Sequence, residues 1–202
     1  MTLEKGLLIV FEGTDGTGKS TQLKLLARHL EAKGVDILCS FEPTKGIYGQ
    51  KIRALYSNRG ATSREDELEL FLADRKEHVA NLITPALAAG KVVLLDRYYL
   101  STIAYQGAAG INPAEILAKN RFAPKPDLAL LFHVPIETGV NRITESRGDT
   151  LNDFENEDYL LKVKKQFEMM DLPCIRRVDA NRSIEAIHLD VCHLVSTLPG
   201  ME

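Results

Sequence analysis

The sequence predicts an α/β fold in which a parallel five-stranded sheet carries helices on both faces. Short apolar runs alternate with segments of helical period along the chain, the pattern of repeated strand–helix units. No two runs are joined by a hairpin turn, so the strands run parallel and are buried on both sides. The first run, 7–11, passes through a glycine-rich turn straight into a helix. Ligands of such sheets sit beyond the carboxyl ends of the strands, which is where that turn falls.

The elements follow in order. Leu7 to Phe11 is wholly apolar and reads as a buried strand. Leu23, Leu26, Ala27 and Leu30 share one face of the helix that follows, and Gly34 stops it. A second strand is expected over 35–39, ending in the polar turn 40–45. A short helix over 48–56 has Ile52 and Leu55 as its apolar points. Ser63, with Asp66 three residues on, starts a long helix in the manner of a capping box. Its expected core stripe is Leu68, Leu72, Val79, Leu82 and Ile83, and Gly90 closes it. The third strand, 92–95, delivers Asp96 and Arg97 at its carboxyl end. A helix over 100–106 and a loop over 107–112 lead to a helix at 113–119, with Pro113 in its first turn. Strand 127–134, helix 136–145, an irregular polar stretch 147–156, helix 157–169, strand 175–178 and helix 183–198 complete the chain. No repeat, low-complexity stretch or linker intervenes, so residues 1–202 read as one domain.

Composition removes several function classes. A net charge of -3 gives no electrostatic footprint for nucleic acid or a membrane surface. No apolar run is long enough to span a bilayer, and the first residues lack a signal-segment pattern. Cys39, Cys174 and Cys192 are odd in number and unpaired in spacing, as expected of reduced, mostly buried thiols in a cytoplasmic protein. The five histidines show no ligand spacing, and adjacent Cys192 and His193 point to different helix faces, so no transition-metal site is expected there.

Gly13, Thr14, Asp15, Gly16, Thr17, Gly18, Lys19 and Ser20 match the phosphate-binding loop, with Thr21 next in the helix. Strand before and helix after supply the context this motif needs. Its backbone N–H groups and the helix start favour phosphate. Lys19 would reach the β- and γ-phosphates of a nucleoside triphosphate, and the Ser20 hydroxyl would ligate Mg2+. This predicts the P-loop NTPase fold with ATP as donor. Asp96 can hold Mg2+ and Arg97 can fork onto phosphate oxygens; the alternative is a helix cap beside a solvated arginine. Phe71 and Arg75 lie one turn apart. They either clamp a flat base or serve as an ordinary core ring and a surface ion pair.

Several segments are more specific. They are Phe11 to Gln22, Glu42-Pro43, Leu70 to Arg75, Asp96-Arg97-Tyr98, Ser101 to Gly107, Pro124 to Leu128 and Val178-Asp179-Ala180. With these the chain resembles the thymidylate kinase family along nearly its whole length. The resemblance implies transfer of phosphate from ATP to dTMP, with Mg2+, by a cytosolic homodimer with a mobile lid, here about 142–156. It also implies roles. Asp15 would bind the 3′-hydroxyl of dTMP, Phe71 would stack on thymine and Arg75 would donate to O4. Arg97 would hold the dTMP phosphate, and Glu42 would lie at the substrate side. Ser101 and Gln106 would face the base, and Tyr105 would crowd the 2′ position. Asn181 and its neighbours would lie by adenine. Lys19, Arg97 and a lid arginine, Arg147 ahead of Arg142, would be catalytic.

The chain also departs from relatives in three places. Phe41 stands where many have an arginine, with Lys45 as a substitute cation. Gly16 stands where some have a loop arginine. Asp153 stands where others have a lid arginine. Rival readings are a kinase for another or a broader set of deoxynucleoside monophosphates, and a deoxynucleoside kinase. The latter needs a base to activate a hydroxyl. A guanine-nucleotide switch is excluded by the missing Asn-Lys-x-Asp motif.

Overall fold

A computed structural model describes residues 3–57, 62–147 and 157–202, and the side chains of 146 and 147 lie outside that description. β1 (Leu7–Glu12) is the centre of a five-stranded parallel sheet of order β2-β3-β1-β4-β5. Its neighbours are β3 (Val92–Asp96) and β4 (Leu128–His133), and the edges are β2 (Ile37–Phe41) and β5 (Ile175–Asp179). Strand order reverses beside β1, which opens a crevice at its carboxyl end. Register places Phe11 opposite Asp96 and Leu130, and Phe41 opposite Asp96. Glu12, Glu42, Asp96 and Arg97 are thereby gathered at one rim.

The unbroken apolar run of β1 has a simple cause. Leu8 and Val10 enter one core with Leu68, Leu72, Leu100, Val163 and Phe167, while Ile9 and Phe11 enter a second with Leu23, Leu26, Leu30, Val191 and Val195. The first core lies under α3 (Arg64–His78), α5 (Tyr99–Ala108) and α8 (Glu157–Met169); the second lies under α1 (Lys19–Ala32) and α9 (Ile184–Ser196). Both faces are covered, so alternation of polar and apolar residues is lost. The remaining helices are α2 (Ile47–Ala54), α4 (Thr84–Ala88), α6 (Pro113–Lys119) and α7 (Ile136–Arg147). Among the described residues no helix is long and apolar enough to cross a membrane.

Three expectations are corrected. The second strand starts two residues late, because Val35 belongs to the end of α1. Gly34 N–H donates to Glu31 O and Val35 N–H to Leu30 O, with Gly34 at φ 73. This is a left-handed helix closure that uses Val35 as its apolar plug. The long helix is not continuous: after α3 the turn Val79–Ile83 widens to π geometry ahead of Pro85, which has no N–H to continue the ladder. The extra residue rotates Leu82 out to 36% exposure, while Val79 and Ile83 stay buried. The thiols are free but not buried as a set: Cys39 is exposed, and Cys174 and Cys192 are half-buried.

Candidate active site

The turn after β1 is shaped by space as much as by dihedral angle. Gly13 has φ 134, and a Cβ there would lie 2.3 Å from Phe132 O; at Gly16, φ 75, it would lie 2.1 Å from Gly139 O. Any side chain would push the loop off β4 and α7. Thr17 Oγ1 donates to Thr14 O at 2.8 Å, and Lys19 Nζ donates to the same carbonyl at 2.7 Å. Gly18 caps α1 in the left-handed region, and Ser20 Oγ donates to Asp96 Oδ2 across the rim. A cavity of about 820 Å3 opens here, and Thr21, Glu42, Arg53 and Arg97 share its wall with Lys19 and Ser20.

Arg97 is held at φ 68, a strained conformation for a residue with a long side chain. Its Nη1 donates to Gly13 O and Ser101 Oγ, each at 3.0 Å, and its Nη2 donates to Asp15 Oδ1 at 2.9 Å and Tyr105 OH at 3.4 Å. Tyr105 OH in turn donates to Asp15 Oδ2 at 3.1 Å. Burial works against both charges of the Asp15–Arg97 pair. Burial is the largest single influence on each, but their mutual attraction, together with Lys19 and the Tyr105 hydrogen bond at Asp15 and with Tyr105, Asp96 and Glu12 at Arg97, overcomes it: the Asp15 carboxyl lies well below the usual range and the Arg97 guanidinium above its own. Burial, then the Arg97 charge, brings Lys19 down to about 8. Asp15, Lys19, Ser20, Asp96, Arg97, Ser101 and Tyr105 are therefore one cluster. The Ser101 hydroxyl is engaged on the Arg97 side, where it also donates to Glu12 Oε2 at 2.5 Å.

Arg75 has a second environment. It is 1% exposed, so the surface ion pair considered from its sequence position is ruled out. Nε and Nη2 donate to Glu42 Oε2 at 2.9 and 2.6 Å, Nη1 to Asn120 Oδ1 at 2.7 Å and Nη2 to Thr102 Oγ1 at 2.9 Å. Among the described residues this occupies four guanidinium N–H groups and leaves one on Nη1 out of the five that arginine carries. His78 Nδ1 lies 3.0 Å from Glu42 Oε1, and Ser40 Oγ lies 2.8 Å from His78 Nε2. Glu42 is thus bound on both oxygens by α3. Gln106 Nε2 donates to Glu67 Oε1 at 2.8 Å, which fixes the amide and leaves its buried Oε1 without a partner among the described residues. Phe71, half-buried on α3, lies in sequence between Glu67 and Arg75. Neither Phe71 nor Gln106 lines the phosphate cavity.

In the loop after β5 Asn181 is exposed, and its backbone N–H donates to Asp179 Oδ1 at 3.0 Å. Arg142 reaches from α7 to Ala180 O, at 3.2 and 3.3 Å, and to Gly16 O at 3.4 Å. It links the loop after β5 to the phosphate loop. Arg147 ends α7, and its side chain lies outside the described residues, as do 148–156 of the expected lid.

Three contributors escape a reading of the sequence. Glu12 is fully buried beneath the cluster, accepting from Tyr98 N–H at 3.0 Å and from Ser101. Its signal was a lone acid closing an apolar strand. Arg53 of α2 donates to Pro43 O at 2.5 Å and Thr44 O at 2.6 Å and lies over the Phe41 ring. A cation therefore stands beside Phe41 after all, supplied by Arg53 of α2. His78 had no signal beyond its place one turn after Arg75.

The comparisons agree with this geometry. The thymidylate kinase family model matches residues 11–191. The chain is 56% identical to a thymidylate kinase of Desulfotalea psychrophila, with all of both chains covered. It is 46% identical over 190 residues to one of Xanthomonas euvesicatoria pv. vesicatoria, covering 93% of this chain and 83% of that one. With a phosphate loop, an arginine cluster at the same rim and full-length similarity in hand, the chain belongs to the thymidylate kinase family.

Proposed function

We propose how this chain divides the labour of ATP-dependent phosphorylation of dTMP, the reaction of its family. The observation that carries the scheme is the presence of two arginines anchored by carboxylates: half-buried Arg97 on Asp15 beside the phosphate loop, and fully buried Arg75 behind Glu42. The phosphate loop from Gly13 to Thr21 cradles the ATP phosphates, and Lys19 swings from Thr14 O to the β- and γ-phosphates. The touching oxygens of Ser20 and Asp96 are hard donors at the loop's mouth, the set that suits Mg2+. Mg2+ would there neutralise phosphate charge. Asn181 lies along adenine. Arg97, fixed by Asp15, holds the dTMP phosphate in line with the γ-phosphoryl group. Asp15 also takes the 3′-hydroxyl, and Tyr105, held by Asp15, leaves no room for a 2′-hydroxyl. Arg147 closes over the transferred group.

The nucleophile is an oxygen of the dTMP phosphate. It bonds to the γ-phosphorus as the bond to the ADP oxygen breaks, giving dTDP. That oxygen is already anionic at neutral pH, so no general base is required, and catalysis is positioning plus charge stabilisation. The base is read by polarity, with Phe71 stacked on it. The Nη1–H of Arg75 donates to O4 and the unpaired Oε1 of Gln106 accepts from N3–H. Cytosine reverses both groups, so that its 4-amino group meets the Arg75 donor and its N3 acceptor meets the Gln106 oxygen. Such polar mismatches cost about 10⁴-fold, whereas a lost methyl costs roughly 10- to 200-fold. A coupled ADP-release assay over a panel of monophosphates should give kcat/KM in the order dTMP, dUMP, then dCMP far behind. Comparable turnover of dCMP and dTMP would overturn the base-reading scheme in favour of a broader monophosphate kinase. The family resemblance also supports a cytoplasmic homodimer; sedimentation at micromolar concentration tests the dimer.

A further inference from the structure

Far from the phosphate loop, α1 and α9 bring together three side chains that the reaction does not use. His188 and Cys192 are one turn apart on α9, and His29 faces them from the last turn of α1. The His29 and His188 rings meet edge to face at 6.0 Å, and Cys192 Sγ lies 3.5 Å from His188 Nε2. One ligand atom from each residue falls within 4.8 Å of the other two, and all three residues are half-buried. The spacing that matters is His-x-x-x-Cys along α9 with a partner from another helix, not the adjacent Cys192-His193 pair.

We propose that His29, His188 and Cys192 form a binding site for one Zn2+-class transition-metal ion, held by two imidazoles and a thiolate. Zn–N and Zn–S bonds of roughly 2.0 and 2.3 Å put tetrahedral ligands about 3.3–3.8 Å apart. The His188–Cys192 edge already has that length. Closing the remaining edges takes about 1 Å of side-chain movement, within reach of half-buried rotamers. The donor set selects its metal: thiolate and imidazole favour Zn2+, Co2+ or Cu+ and reject Mg2+. The oxygen pair of Ser20 and Asp96 has the opposite preference, so the two sites do not compete. The carboxyl end of the α1 dipole adds negative potential beside His29. Burial pushes the Cys192 thiol up and the Lys33 charge offsets this only in part, so the incoming ion itself must displace the thiol proton. Three protein ligands leave the fourth position to water or an exogenous donor.

The position gives the site a consequence. His29 is ten residues from Lys19 on α1, about 15 Å along the axis. Ile184 opens α9 directly after the loop that carries Asn181. Gln22 Nε2 donates to Ile184 O at 2.9 Å, tying the two helices near the nucleotide. A metal at His29, His188 and Cys192 clips them at the far end, so the ion stiffens the pair that frames the ATP site.

Co2+ titrated into the reduced full-length protein, with Mg2+ in excess, tests the assignment. One equivalent should produce a thiolate-to-Co2+ charge-transfer band and tetrahedral visible bands, and Zn2+ should erase them. Cys192→Ser should lose the charge-transfer band and His188→Ala should weaken binding roughly 100-fold, while Cys39→Ser and Cys174→Ser keep the wild-type spectrum. Circular dichroism melts establish that each variant is folded. In the wild type itself, Zn2+ should protect Cys192 from alkylation, read by mass spectrometry, while Cys39 stays reactive. No thiolate band, a band that survives Cys192→Ser, or unprotected Cys192 would each overturn the site.

Discussion

Replacing Glu12 by glutamine keeps the side chain's shape and its acceptor for Tyr98 N–H but removes a carboxyl proton from the floor of the site. Burial pushes the Glu12 carboxyl from its ordinary 4.5 up to about 7, against the pull of the Ser101 hydrogen bond and of Arg97 and Arg75. Between those two values the folded protein keeps the proton and the unfolded chain releases it. Stability contributed by this group is complete below pH 4.5 and declines as pH rises through about 7. At about 1.4 kcal/mol per pH unit the decline totals about 3 kcal/mol. Asp15 acts in a separate window: its lowered value gives stability above 3.8 that is lost only as pH falls below it. The difference in unfolding free energy, Glu12→Gln minus wild type, should therefore climb by about 3 kcal/mol between pH 4.5 and about 8. Urea unfolding at a series of pH values measures it, and titrating groups that do not interact with Glu12 cancel in the difference. A constant offset between the two curves would mean that Glu12 stays ionised in the folded protein, and the reasoning would be refuted.

Lys19, brought down to about 8 by burial and Arg97, should recover its proton when ATP phosphates arrive. ATP affinity should then fall up to about tenfold per pH unit above that value, with proton uptake visible by calorimetry, and a flat profile would count against it. Lys19→Ala should lower kcat roughly a hundredfold or more with the fold intact. Arg142, which grips Gly16 O and Ala180 O, should act mainly on ATP: Arg142→Ala raises KM for ATP. Arg147→Ala lowers kcat while dTMP affinity without ATP is unchanged; a larger kcat loss in Arg142→Ala would reverse those roles. Arg75→Gln strands buried Glu42 and should cost about 3–5 kcal/mol of stability. The pair Glu42→Gln with Arg75→Gln should regain part of it in urea unfolding, and equal stability of the single and double variants would show that Glu42 is not the cause.

The parts legible in the sequence are those with a local cause. α6 and α8 occupy 113–119 and 157–169 as their end signals require, and Ser63 Oγ accepts from Asp66 N–H at 3.0 Å as the capping box predicts. The phosphate loop was legible because its chemistry is packed into consecutive residues. What escaped depends on contacts distant in sequence. Arg75 is buried because residue 42 and residue 120 arrive beside it from other elements, and periodicity on α3 carries no trace of that. Arg53 is one of two basic residues near the end of α2 until the Pro43–Thr44 carbonyls reach it. The π turn before Pro85 shows the same limit inside one helix: the proline was visible, but how the widened turn would re-aim Leu82 was not.

The arrangement of charge around Arg97 says why this site needs cations beyond its own. Lys19 and Arg97 face Asp15 and Asp96, with Glu12 half-ionised near neutral pH beneath them. The protein's charges are close to balanced before any phosphate enters. All four Nη hydrogens of Arg97 have protein acceptors, and Nζ of Lys19 rests on Thr14 O. This balance lets two cations sit close together in a buried place, since each is held by a fixed oxygen. It also means that phosphates bind by exchange, displacing protein oxygens from the cations rather than filling an open positive well. Exchange is favourable only when the incoming anions are further neutralised. In the proposed scheme a hard divalent ion at Ser20 and Asp96 and Arg147, whose side chain lies outside the described residues, make those additions. Because each brings its charge only with substrate or on closure, strong stabilisation is confined to the moment of transfer, which is where it accelerates the reaction instead of merely tightening binding.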